Sequence, residues 1–406
     1  MEHYITKIYI EELRHLKDIE INLSKESRQH LLITGKNGSG KTTLLLALKK
    51  YLMAINEGSL TKLKQLYLEQ LNYWQAKLNE SDSIENRENI SIYKEQLNRY
   101  RDGIDVDFSG EDEVELLYED GNFITAYYPA NRLTNVEKGN GVEDIELSNA
   151  YSINEEPGKL LHKYMVHLKT QQAYANTEHD AETEQLIKQW FERFENALKE
   201  LLDDESITLT YNYKQYDFAI NQEGRESFDF NSLSDGYSSV LYIVSDLILR
   251  MDQNWLLGKG LSNYDMEGIV LIDELETHLH IDLQKKILPF LTKFFPRIQF
   301  IVTTHSPYIL GSVENVVAYD LEHKMMLEKT GDYSAESLAE GYFDVDSYSE
   351  TLKRDAKRYL ELREIGNPTD EQRVERAKLR MKLKTSSQDL AKEILMDEDI
   401  FGGHKE

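Results

Sequence analysis

The sequence predicts an α/β fold, and three stretches carry that prediction. Leu31-Leu32-Ile33 is a short apolar run that breaks into the glycine-rich turn Gly35-Lys36-Asn37-Gly38-Ser39-Gly40-Lys41-Thr42 and then into a leucine-rich helix. Gly268–Ile272 is apolar throughout and ends in Asp273-Glu274, and Phe300-Ile301-Val302 runs through two threonines into His305. Strands that are apolar from end to end are buried on both faces, as the central strands of a parallel sheet are.

The 406 residues suffice for two or three domains, and 30% charged with 40% hydrophobic residues is the composition of a soluble globular chain. No stretch approaches the ~18 consecutive apolar residues of a membrane span. The start, MEHYITKIYI, lacks the apolar core and cleavage site of an export signal. With no cysteine, disulfides and thiolate metal sites are excluded, and a cytoplasmic location without membrane attachment is the expectation. The net charge of -26, from 73 acidic and 47 basic residues, opposes general coating by nucleic acid, so any nucleic-acid contact needs a local basic strip.

In chain order, Ile5–Ile10 and Ile19–Leu23 read as strands leading into the buried strand at Leu31, and the helix after the glycine turn is expected to reach about Ala54. From Leu60, apolar residues recur at steps of three and four (Leu60, Leu63, Tyr67, Leu71, Trp74, Leu78), and again after Ser81-Asp82-Ser83 (Ile90, Tyr93, Leu97, Tyr100, Ile104). This predicts an antiparallel helical hairpin, either packed on the body or projecting as a coiled coil; its polar remaining faces favour projection. Strands are then expected at Val106–Phe108, Val114–Tyr118 and Phe123–Tyr128, the last after an Asp120-Gly121 turn, with Pro129-Ala130-Asn131-Arg132 leaving the sheet.

Leu160–Gln171 and Ala181–Leu202 read as helices joined by a polar stretch. Lys159, Lys163 and His167 fall one turn apart, either an anion-facing stripe or, more commonly, a solvated face. Ile207–Ile220 alternates as a strand does. The segment from Phe230 to Tyr237 opens a long apolar helix running through Leu249. Its Leu233-Ser234-Asp235-Gly236-Tyr237 portion sets a hydroxyl and glycine-freed N–H groups at a helix start, which suits an anion, although Ser-Asp-Gly is also an ordinary capped turn.

The glycine turn fits GxxxxGK[ST] at every fixed position and stands between a strand and a helix, the setting that the motif requires. Its glycines let successive N–H groups point into one concavity at the positive end of a helix, a cradle for phosphate. Lys41 would reach the β and γ phosphates of a nucleoside triphosphate, and the Thr42 hydroxyl would bind Mg2+. An acid at the carboxyl end of a central strand lies beside such a loop, so Asp273 can hold Mg2+ through water and Glu274 can polarise a water for attack on the γ-phosphate. His305, at the end of the third strand, is suited to contact the γ-phosphate or the attacking water.

Together these segments resemble an ABC-type ATPase head of the soluble branch that includes the SMC, RecF and OLD families. The resemblance covers a P-loop (Gly35 to Thr43), a signature (Leu233 to Tyr237), a Walker B strand (Ile269 to Glu274), a D-loop (Leu275 to His280) and a switch histidine (His305). It implies an ABC ATPase head with a β-rich N-terminal lobe, a RecA-like core and a helical lobe, to which the helical-hairpin (coiled-coil) insertion is added. It also implies ATP and Mg2+ as cofactors. Gly35, Asn37, Gly38, Ser39, Gly40, Lys41, Thr42 and Thr43 would bind the nucleotide and Thr42 and Asp273 the metal. Lys41, Glu274 as general base and His305 as sensor would act in catalysis. Two heads would join head to tail, Ser234 and Gly236 of one clamping the γ-phosphate on the P-loop of the other.

Asp235 and Tyr237 depart from the usual glycine and glutamine of the signature, and no Q-loop glutamine stands out; Asn131 or Arg132 falls in that region. The long interval between Lys41 and Ser234 is unlike that of transporter subunits. With its short coiled-coil insertion, the YYPANR segment ending at Arg132, Gly341-Tyr342-Phe343 and a charged helix around Tyr359 to Arg363, the chain is similar to the Septu and retron-associated anti-phage ATPases.

The expected organisation is the N-terminal part of the head with the P-loop (1–57), the hairpin insertion (58–103), a β-rich segment of the head (104–142), a helical lobe (143–206), the C-terminal part of the head (207–330) and a helical basic tail (331–406). In the tail, Leu352, Ala356, Tyr359 and Leu362 mark one amphipathic face and Asn367-Pro368 interrupts it. Arg373, Arg376, Lys378, Arg380, Lys382 and Lys384 then form the most basic stretch, which grips DNA or RNA, docks on an acidic partner or solvates a helix. The clusters Asp344-Val345-Asp346 and Asp397-Glu398-Asp399 lie in polar stretches and do not make a two-metal nuclease core, and the D-loop position accounts for Glu276, His278 and His280 without a metal.

The expected function is therefore an ATP-hydrolysing sensor in anti-phage defence, a homodimer or higher oligomer that controls a separate nuclease effector. The alternatives are a RecF/SMC-like ATPase of DNA repair or chromosome maintenance, and an ATP-gated dimerising scaffold with little turnover.

Overall fold

The computed structural model describes residues 2–132, 136–139, 141–256, 266–327 and 350–386. Gly341-Tyr342-Phe343 and the acidic clusters at 344–346 and 397–399 lie outside them. The chain divides into two compact units, residues 1–335 and 336–406.

The larger unit is α/β, with a six-stranded sheet at its centre. Strands β1 (Ile5–Leu13) and β2 (Leu16–Asn22) pair antiparallel, and β4 (Ile104–Phe108) joins the other edge of β1, giving the order β2-β1-β4. Alternate residues Ile8, Ile10, Ile19, Ile21, Ile104 and Val106 enter the core, as half-buried strands require. The second sheet contains β3 (His30–Thr34), β5 (Phe123–Tyr128), β8 (Glu267–Ile272), β9 (Ile298–Thr303), β10 (Val316–Asp320) and β11 (Met325–Leu327) in the order β11-β10-β3-β9-β8-β5. All its pairings are parallel except that of the edge strand β11. Every residue of β3, β8 and β9 is buried, so their centres are apolar, and a polar exception, Gln299, bonds the Ile5 N–H and carbonyl. Because β3, β5, β8 and β9 run the same way, their carboxyl ends deliver Gly35, Pro129, Asp273 and Thr304 to one rim of the sheet.

Helix α1 (Lys41–Asn56) follows β3 and buries Leu44, Leu45, Leu48, Leu52 and Ile55. The predicted helical hairpin is present. A first turn at Leu60–Lys62 passes through a π-helical stretch, Leu63–Tyr67, into α2 (Leu68–Glu80). Ser81-Asp82-Ser83 reverses the chain, with the Ser83 hydroxyl capping α3 (Ile84–Tyr100). The root, Leu60, Leu63, Leu97 and Tyr100, joins the main core, whereas farther out α2 has no buried residue, α3 buries only Asn86 and Ile90, and Ile84 is 78% exposed. The two ends of the excursion are tied together, since Tyr100 donates to Glu57 at 2.6 Å and Arg99 pairs with the same carboxylate.

One expected strand is corrected. Val114–Tyr118 lies in helix α4 (Glu111–Glu119). Three acids, Glu111, Asp112 and Glu113, occupy its first turn, where the helix dipole favours them, and Val114 and Tyr118 face the core four residues apart.

Helices α5 (Leu161–Glu178) and α6 (Ala181–Leu202) form a second pair, held by Trp190 edge-on to Tyr164 and stacked on Phe194. Helix α5 extends seven residues beyond the expected Gln171, to Glu178, so most of the polar connection is helical. The alternating stretch after Ile207 is a hairpin of β6 (Thr208–Asn212) and β7 (Asp217–Asn221). Helices α7 (Asp235–Leu256) and α8 (Ile281–Phe294) complete the unit. The basic stripe on α5 is neutralised rather than open: Lys163 lies 3.2 Å from Glu143, His167 3.6 Å from Asp144, and Lys159 pairs with Glu156. Among the described residues, no helix is long and apolar enough to cross a membrane.

The smaller unit contains α9 (Glu350–Glu364) and α10 (Asp370–Ser386), packed through Ala356, Tyr359 and Leu383. In the basic stretch, Lys382 pairs with Asp355 at 2.6 Å and Arg373 with Asp370 at 3.8 Å.

Candidate functional site

Gly35, Gly38 and Gly40 have φ of 132°, 86° and 102°, the left-handed region that glycine enters without strain. Gly35 is also held by close approach, because a Cβ there would stand 2.8 Å from Ser39 Oγ and 3.2 Å from the Glu322 nitrogen. The helix after them begins at Lys41 without a side-chain cap, which leaves the N–H groups of its first turn free to donate to an anion. Asn37 and Gly38 lie exposed on the outer bend of the loop. Thr43 follows Thr42 on α1, and the His15 ring reaches over from the β1–β2 turn to the Ser39 carbonyl at 3.0 Å.

Lys41 is 5% exposed, and its ammonium donates to the carbonyls of Gly35 at 2.8 Å and Lys36 at 3.2 Å. Burial lowers its pKa, opposed by the nearby carboxylates Glu274, Glu276, Asp273 and Asp320. One helical position on, the Thr42 hydroxyl donates to Asp273 Oδ1 at 3.2 Å. Asp273 ends β8 and is 3% exposed. The same Oδ1 accepts from the Thr303 hydroxyl at 2.6 Å, and that hydroxyl accepts from the Glu274 N–H at 2.7 Å. Asp273 is thereby fixed between the first turn of α1 and the end of β9.

His305 lies just beyond β9. Its backbone N–H donates to the Glu276 carboxylate, and its ring Nε2 is buried without a hydrogen-bond partner. Burial first, and then the charge of Lys41, lower the His305 pKa, while Glu274 acts the other way. Burial raises the pKa of Glu276. Arg132, 2% exposed, sends its guanidinium to the carbonyls of Pro129, Asp273, Glu274 and Leu275. Asn131 is exposed.

The structure thus brings Lys41, Thr42, Asp273, Glu274 and His305 to one rim of the sheet. Ser234 and Gly236 start α7 elsewhere on the unit, and no hydrogen bond among the described residues joins them to the glycine loop. Gly236 abuts the 276–280 segment so closely that a Cβ would stand 2.9 Å from the His278 carbonyl oxygen. Ser234 is exposed on the wall of a cavity of about 430 Å³ that also includes Arg225, Gln222 and Tyr237.

The residues present fit a magnesium-bound nucleoside triphosphate. Orphaned polar atoms at His305 Nε2 and Ser39 Oγ, an uncapped helix start and a buried ammonium are donors for phosphate oxygens, and a hydroxyl beside a buried carboxylate is the hard-oxygen pair that Mg2+ takes. Among the described residues, no grouping of three or more acidic, histidine or cysteine side chains could hold a metal ion.

Sequence patterns missed Thr303 and one buried network, and offered Arg132 only as a candidate for the Q-loop region. Thr303 and Arg132 act through contacts far along the chain. A buried network of Tyr128, Asp246 and Arg250 fixes α7 to β5: Asp246 Oδ2 accepts from Tyr128 at 2.8 Å and from Arg250 at 2.7 Å, while Arg250 also donates to the carbonyls of Thr125 and Ser152. Asp246 and Arg250 stand four residues apart in the apolar middle of this helix, a signal that could have revealed them.

Residues 31–311 match the family described as "AAA domain, putative AbiEii toxin, Type IV TA system". Septu protein PtuA of Bacillus mycoides (strain KBAB4) is 28% identical over 330 residues, which cover 80% of this chain and 41% of that protein. Retron Ec83 probable ATPase of Escherichia coli is 41% identical over 83 residues, 20% of this chain and 15% of that one. The chain therefore spans less than half the length of these relatives. Among solved structures, the Smc head bound to the C-winged helix domain of ScpA aligns with 80% of this chain and 96% of its own, at 12% identity and a TM-score of 0.39.

Proposed function

Since the chain belongs to the AAA_21 family of AbiEii-type AAA domains, we propose that it binds and hydrolyses ATP, and that it does so as a sensor in anti-phage defence governing a separate nuclease. The defence assignment rests on its likeness to Septu PtuA and retron ATPases. The observation that carries the ATPase reading is the Asp273 carboxylate held between Thr42 and Thr303, with Glu274 next along the chain.

In this reading the N–H groups of Gly35 to Thr43 and the Lys41 ammonium hold the triphosphate, Thr42 and Asp273 hold Mg2+, and His305 Nε2 meets the γ-phosphate or the water. Bound Mg2+ neutralises phosphate charge that develops during transfer. Glu274 accepts a proton from the attacking water. Lys41 keeps its charge next to the accumulating negative oxygens, a contribution strengthened by the scarcity of water around its buried stem. Ser234 and Gly236 act on the nucleotide of a second copy, so each head supplies half of a composite site.

Steady-state hydrolysis by the wild-type chain and by Glu274→Gln tests the reading. The variant should lose at least about a hundredfold in kcat, keep ATP binding and accumulate as an ATP-dependent dimer. An inactive wild type would refute the ATPase, and a dimer that forms equally well without ATP would refute the composite site. Strong stimulation by DNA alone would instead favour the DNA-repair alternative.

A further inference from the structure

We infer that Arg132 is a positioning residue for hydrolysis: its guanidinium sets the backbone from which Glu274 projects, and thereby aims the general base. The inference rests on the ATPase reading above and gives a positioning role to a residue that the sequence offered only as a candidate for the Q-loop region.

Glu274 sits at φ 43°, a left-handed conformation that a β-carbon disfavours and that needs support from outside the residue. That support comes from both sides of the Glu274 backbone. On the amino side, its N–H donates to Thr303 Oγ1 at 2.7 Å. On the carbonyl side, Arg132 Nη1 donates to Asp273 O at 2.8 Å, and Nη2 donates to Glu274 O at 3.3 Å and Leu275 O at 3.0 Å. Three successive carbonyls that have left the sheet ladder thus converge on one planar fork, and Nη1 is anchored in turn to Pro129 O at 3.0 Å, at the end of β5. The Thr277 N–H also reaches Glu274 O at 3.0 Å, but it belongs to the same turn and cannot fix that turn to the sheet.

Arg132 is 2% exposed, far too buried to serve solubility, and desolvation lowers its pKa only to about 10, so it remains a cation at neutral pH. Only a guanidinium offers several donors in a rigid plane; lysine offers three from a single point. Lysine can therefore keep the charge and part of the bonding, whereas methionine keeps the volume and none of it.

The test measures kcat, KM, ATP affinity and thermal unfolding of full-length Arg132→Met and Arg132→Lys, each also combined with Glu274→Gln. Arg132→Met should lower kcat at least about tenfold with KM and ATP affinity within about threefold of wild type, and Arg132→Lys should recover part of kcat. Against the Glu274→Gln background, neither change should lower the residual rate further, because the effect runs through Glu274.

The proposal is overturned if kcat is unchanged, if the residual rate of the Glu274→Gln protein falls by the same factor, or if ATP affinity falls as much as kcat. Should Arg132→Met fail to fold, the decision passes to Arg132→Lys, for which a wild-type kcat refutes the inference. A wild type without hydrolysis defeats the ATPase reading and this one with it, whereas an active wild type with indifferent Arg132 variants defeats this one alone.

Discussion

The Thr303 hydroxyl is the smallest group with two duties in the site, donating to Asp273 and accepting from the Glu274 N–H. Thr303→Val removes both bonds at almost constant volume and should weaken hydrolysis about 10–100-fold, as loss of an outer-shell partner does, while Thr303→Ser stays near wild type; a magnesium titration of the hydrolysis rate reads the difference. His30 carries a prediction about folding. Its Nδ1 accepts from the Phe300 N–H at 3.1 Å, and burial, with Arg28 adding to it, holds its pKa down to about 4. The unfolded chain takes up this proton first, so the contribution is complete above the ordinary 6.5, drains as pH falls and is exhausted below about 4. Urea unfolding from pH 7 to 4 should show up to about 3 kcal/mol of loss from this group, and His30→Asn, whose amide oxygen can accept the same bond, should flatten that limb. At this scale the glycine loop, Asp273-Glu274 and His305 were legible because each is a contiguous motif at a strand end. Thr303 was not, and Arg132 was legible only as a candidate for the Q-loop region, because what they do depends on carbonyls and carboxylates brought near only by the sheet; Arg132 and Asp273 are 141 residues apart.

Among the elements, α7 depends most on buried charge. Asp246 and Arg250 are each 2% exposed at the side chain and meet at 2.7 Å, with Tyr128 and the Gly158 N–H completing the carboxylate's partners. Removing one member leaves an uncompensated charge in the interior. Asp246→Ala should therefore cost about 3–5 kcal/mol, measurable by chemical denaturation, and should loosen α7 from β5. The expected strand at Val114–Tyr118 is a helix for a local reason. Val114–Tyr118 is rich in residues that also suit strands, and its five residues are too few for periodicity to discriminate; the acids that select a helix there lie just upstream, at Glu111 to Glu113. The strands β3, β8 and β9 and the helical hairpin were legible because their patterns are long or unbroken. The helical character of the stretch after Gln171 was not, since polar residues on the outer turns of a helix look like a loop.

For the whole molecule, a net charge of -26 on each copy opposes the pairing that a composite nucleotide site requires. Salt shortens the reach of that repulsion to about 8 Å at physiological ionic strength. The ATP-bound dimer of Glu274→Gln should therefore become more abundant between about 20 and 200 mM salt, as followed by light scattering. An assembly held by nucleic acid would respond in the opposite direction, losing affinity steeply over the same range.

The knot between Glu57, Arg99 and Tyr100 has an evolutionary corollary. Where an excursion enters and leaves through one tied base, its outer length is a free variable: descendants can add or delete turns around Ser81–Ser83 while the sheet and the glycine loop go on unaltered. In the proposed sensor, the reach of the hairpin would thereby be separable from the hydrolytic site.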